Sequence, residues 1–142
     1  MTRGKLLFFL AASFLAMDAH AAPKPAECPY PGSVVYDLDK VEEGLKTAPS
    51  CDAAFELFSS CMMGSTSDVR MSGFVVEKCE ADFEAKLSKG QRRAYDKALN
   101  GCERKYQRQS GSEARAMEAL CVAEVARAYS RRSRSTKPPR RS

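Results

Sequence analysis

The spacing of six cysteines, Cys28, Cys51, Cys61, Cys79, Cys102 and Cys121, constrains this 142-residue chain more than any other feature. No Cys-x-x-Cys pair is present, and the single histidine, His20, lies upstream of all six, so the set lacks the ligand pattern of a zinc site. An even number of cysteines in an exported chain reads instead as three disulfides. Export is itself an expectation drawn from the first residues. Arg3 and Lys5 precede the apolar run Leu6 to Met17, and Ala19-His20-Ala21 supplies small residues for cleavage before Ala22. The run is well short of the ~20 residues that span a bilayer. Residues 1–21 are therefore read as a signal peptide, and the mature chain as a secreted or periplasmic protein with no transmembrane segment. Pro25-Ala26-Glu27 ahead of Cys28 lacks the residues expected before a lipidated cysteine.

The chain beyond the signal has room for one domain with a modest core, which disulfides would reinforce. Residues 22–49 carry Pro23, Pro25, Pro29, Pro31 and Pro49 without a sustained helical period, and read as an extended leader tied down at Cys28. Within it, Leu38 to Glu43 is compatible with a turn of helix and Val34 to Tyr36 with a short strand. Helical periodicity begins after Ser50, a candidate N-cap, with Ala53, Ala54, Leu57, Phe58 and Cys61 at spacings of three and four, and stops at Gly64. This predicts a first helix over 51–63. Ser67 or Asp68 can cap a second, whose apolar stripe is Val69, Val76, Cys79, Phe83 and Leu87. Ser88-Lys89-Gly90-Gln91 has the form of a capping box and opens a third helix carrying Tyr95, Ala98, Leu99, Cys102 and Tyr106. Ser112 and Glu113 open a fourth, with Met117, Leu120, Cys121, Val125 and Tyr129 on its face. The expected fold is all-α, a small four-helix bundle stapled by three disulfides over residues 50–130.

Geometry narrows the pairing. Cys51 and Cys61, ten residues apart in one helix, would lie ~15 Å from each other, too far for a disulfide. The midpoint of Cys51 and Cys79 falls at the turn after Gly64, and that of Cys102 and Cys121 at Gly111, which favours those two hairpin clips and leaves Cys28 for Cys61. The midpoint of Cys79 and Cys102 falls at the Ser88–Gly90 turn. That pairing is an equally good alternative.

Charge is unevenly distributed. Residues 131–142 hold Arg131, Arg132, Arg134, Lys137, Arg140 and Arg141 and no acid, while residues 22–130 hold 15 Lys and Arg against 17 Asp and Glu. The segment reads as a basic, disordered tail available to anionic partners, or simply as a solubilising terminus. It has no aromatic residue to stack on bases, which argues against dedicated nucleic-acid recognition. Glu77, Glu80, Asp82 and Glu84 could in principle act as paired acids. Interleaved with Lys78 and Lys86 they read better as a solvated helix face. Without a histidine base after the signal, and with the cysteines assigned to bridges, no nucleophile–base pair remains, so no enzyme and no cofactor are expected.

Cys51 and Cys61 in a first short helix, Gln91-Arg92-Arg93-Ala94-Tyr95 leading to Cys102, and Cys121 followed by Tyr129 and Arg131 resemble the LprI-like lysozyme-inhibitor family of small secreted helical proteins. The resemblance spans roughly residues 50–132. Tyr95 stands one place late in the position of the family's Trp, the Arg that follows that Trp is missing, and Cys28 and Cys79 are additions to the pattern. The resemblance implies an exported bacterial protein that binds lysozyme, and it carries over no catalytic residue. Two functions follow as expectations. The first is a non-enzymatic binding or inhibitor module with Glu77, Glu80 and Glu84 as an acidic face for a basic partner. The alternative is an envelope-associated protein that binds anionic surfaces through its basic tail.

Overall fold

A computed structural model describes residues 27–33 and 35–135; the expected signal peptide and the tail residues Lys137, Arg140 and Arg141 lie outside them. Among the described residues there are five α-helices and no strand: α1 Leu38–Thr47, α2 Cys51–Cys61, α3 Ser67–Glu80, α4 Lys89–Tyr106 and α5 Ser112–Ser135, with a single 3-10 turn over Glu84–Lys86. The chain is all-α and carries three disulfides.

Local chemistry sets most helix starts. The Asp37 carboxylate accepts from the Lys40 N–H at 3.3 Å to open α1, and the Ser50 hydroxyl accepts from the Ala53 N–H at 3.2 Å to open α2. The capping box of α4 is complete: Ser88 Oγ accepts from the Gln91 N–H, and Gln91 Oε1 accepts from the Ser88 N–H. At α3 the expectation fails. Neither Ser67 nor Asp68 caps the helix; Asp68 is fully buried and its carboxylate turns back to accept from the Met63 and Ser65 N–H groups, satisfying the loop after α2. Gly64 holds that loop's left-handed position at φ 69°, a conformation that strains any residue with a Cβ.

The leader is not extended throughout. Between Pro31 and Pro49, Asp37 supplies a cap and Val41 and Leu45 share one helical face, and both side chains are fully buried in the core. The prolines flank α1 without interrupting it, so the bundle has five helices where four are expected. At the other end α5 runs through the expected boundary at 130 to Ser135, placing Arg131, Arg132 and Arg134 on a helix and not in a disordered tail.

Helix α5 is the centre of the molecule, packing along α3 and also against α2 and α4. Its buried stripe is Ala114, Ala116, Ala119, Ala123, Ala126 and Ser130, not the larger Met117, Leu120, Cys121, Val125 and Tyr129. Small side chains let α3 and α5 approach closely enough for Ser72 Oγ to donate to the Ala119 carbonyl at 2.8 Å. Phe58, Met71, Val75, Val41 and Leu45 fill the rest of the core. The buried face of α3 is Met71, Ser72, Val75 and Cys79, while Val69 is half exposed. Phe83 falls beyond the end of α3, where its ring meets Tyr95 and Tyr129 at centroid distances of 5.2 and 5.6 Å.

The disulfides are Cys28–Cys61, Cys51–Cys79 and Cys102–Cys121, with Cα separations of 4.7, 4.6 and 5.7 Å. Cys79 is thus joined to Cys51, and the rival bridge to Cys102 does not form. The first bridge fastens the leader to the end of α2, the second clips α2 to α3, and the third closes the α4–α5 hairpin.

Candidate functional site

Val69, Val76, Ala119 and Val122 line an apolar groove of about 420 Å³ between α3 and α5, with Ser72 and Gly73 alongside them. Its polar rim is Glu77 and Glu80 from α3 and Arg115 and Glu118 from α5. Arg115 donates to Glu118 at 3.0 Å, leaving Glu77, in no salt bridge among the described residues, as the accessible charge. Glu80 accepts from the Tyr95 hydroxyl at 2.9 Å. Burial, and then this bond to a carboxylate, push that hydroxyl's pKa well above the ordinary tyrosine range. The groove therefore joins an apolar strip to carboxylates held in place.

Two of the three expected acidic residues meet here and one does not. Glu84 lies past the end of α3 and is engaged by Arg92 at 2.8 Å, outside the groove lining. The apolar part of the site is not apparent in the sequence, because Val69 and Val76 are read there as core. The signal that could have found it is the Ser72-Gly73 pair between them: small residues on that flank of α3 leave the valines without a covering side chain. Met117, 39% exposed, adds a further uncovered apolar side chain on α5.

The basic residues expected to act as a tail behave differently. Asp52 of α2 accepts from Arg127 Nε at 2.7 Å, Arg131 Nε at 2.7 Å and Arg134 Nη2 at 2.6 Å. Arg127 also reaches Glu56 at 3.1 Å and stacks over the Phe55 ring at 4.3 Å. Burial acts to raise the Asp52 pKa, but the three guanidinium bonds outweigh it and hold the carboxyl at about 2. Ser130, fully buried, donates to Asp82, so the last turns of α5 are bound on both sides. Arg132 lies over the Tyr129 ring at 5.3 Å.

The residues that carry the family resemblance are mostly structural. Cys51, Cys61, Cys102 and Cys121 are in bridges, Tyr95 and Tyr129 pack at 4.8 Å between ring centroids, and Arg131 holds Asp52. Among the described residues no group of three or more His, Cys, Asp or Glu is arranged to hold a metal ion, and no helix is long and apolar enough to cross a membrane. Comparison of the chain with protein-family models, with curated proteins and with solved structures finds no match.

Proposed function

We propose that this chain is an exported, non-enzymatic binding module, of the lysozyme-inhibitor type that the sequence resembles, and that a basic protein docks on the α3–α5 groove. One observation carries the reading: an uncovered apolar strip rimmed by Glu77, Glu80 and an Arg115–Glu118 pair, with Glu77 in no salt bridge among the described residues. A Lys or Arg side chain matches that arrangement, since its methylene stem can lie on Val69, Val76 and Val122 while its charged head meets Glu77 and Glu80. Three disulfides in a small helical domain suit an oxidising compartment outside the cytosol, and a stapled scaffold presents such a groove with little ordering cost on binding. No cofactor takes part.

Titration calorimetry of the disulfide-bonded chain against lysozyme tests this. The expected result is saturable binding that Glu77→Lys weakens by tenfold or more, whereas Glu43→Lys, the same charge change at an exposed position of α1, leaves it within twofold. No binding to lysozyme, or equal binding by the two variants, contradicts the proposal.

A further inference from the structure

Along the outward face of α4, Lys89, Arg93, Lys97 and Arg104 follow one another at helical spacing, with Arg108 in the turn beyond, and all five are exposed. At about 100° per residue they fall within little more than a quarter of the helix circumference, over a length of about 22 Å from Lys89 to Arg104. Tyr95, Cys102 and Tyr106 mark the opposite face, buried against α5. None of the five cations is in a salt bridge among the described residues. Asp96 and Glu103 lie to one side of the row, toward Arg92.

This is not the pattern of an ordinary solvated helix. There, opposite charges alternate at i and i+4 and support the helix, whereas like charges at that spacing oppose it. Here Lys89–Arg93, Arg93–Lys97 and Arg104–Arg108 are all like-charged i,i+4 pairs. The charge of the body is segregated, not small. Residues 37–84 hold 4 Lys and Arg against 11 Asp and Glu, and residues 86–108 hold 8 against 2. The groove and the row share no residue.

We propose that the outward face of α4 docks the protein on an anionic lipid surface. A helix backed by α5 aims these exposed cations away from the bundle, which suits a plane of headgroups. Its exposed face carries no large apolar residue, so the contact is electrostatic adsorption without insertion. A nucleic-acid strand would be held by exposed aromatic rings, and the only aromatic residues of α4 are buried. The row also replaces Arg131 and Arg134 as the anion-binding element, because those two are held by Asp52.

Co-sedimentation of the full disulfide-bonded chain with phosphatidylcholine vesicles, with and without roughly 30% phosphatidylglycerol, tests this at low and high salt. Binding is expected only with the anionic lipid, and it should be lost at high salt. The Lys89→Gln/Arg93→Gln/Lys97→Gln variant, which keeps good helix formers and is checked by circular dichroism, should bind roughly a hundredfold more weakly, at about fivefold per charge. Lys137→Gln/Arg140→Gln/Arg141→Gln removes the same charge elsewhere and should lose less. Equal losses would mean that net charge alone governs binding and would overturn the proposal. So would binding to duplex DNA without binding to vesicles, or pelleting traced by sedimentation velocity to self-association through the row.

Discussion

Arg131 Nε donates to the Asp52 carboxylate at 2.7 Å and ties residues 79 positions apart, α5 to the first turn of α2. Truncation after Ser130 removes this contact and that of Arg134, along with the last turn of α5. The expected cost is about 1–2 kcal/mol, a partly exposed network being worth more than an isolated surface pair. Asp52→Asn should cost about as much, and the two changes combined should cost less than their sum because they break the same contacts. Thermal or urea melts of the single and double variants measure this. Additive losses would contradict it.

The same carboxylate sets an acid limit. Its folded pKa of about 2 lies below the ordinary 3.8, so the stabilisation is complete above pH about 4 and is lost as pH falls toward 2. Melting midpoints of the native chain are expected to fall through that window more steeply than those of Asp52→Asn.

The α4–α5 hairpin depends on its clip. Replacing Cys102 and Cys121 together by Ser opens a loop of 19 residues, for which chain entropy gives about 3 kcal/mol. Because α4 packs chiefly on α5, hydrogen exchange should show this hairpin loosening before α1–α3.

The small-residue seam makes a separate test. Ala123 is fully buried where α5 meets the core, and Ala123→Leu adds volume to a packed interior. A loss of about 1–3 kcal/mol is expected, with Met117→Leu, at an exposed position on the same helix, near neutral.

Much of this architecture is legible in the residues. The Ser50 cap, the Ser88–Gln91 box and the turn midpoints near Gly64 and Gly111 are local or arithmetic signals, and the caps and all three favoured disulfides are present in the structure. Periodicity misleads where size matters more than hydrophobicity. On α5 the alanines face the core because they admit close approach, and the larger Met117 and Tyr129 move to its margins. Val69 and Val76 look like core until Ser72 and Gly73 are seen to leave them uncovered. Arg131 and Arg134, on the last turns of α5, are held by Asp52, a partner no local window contains.

If a basic protein docks on the α3–α5 groove, hydrogen–deuterium exchange on mixing with lysozyme should locate the contact there. Partner-dependent protection is predicted in residues 69–80 and 115–122, with α4 unchanged. Protection confined to α4 or α1, or none anywhere, would contradict docking at the groove.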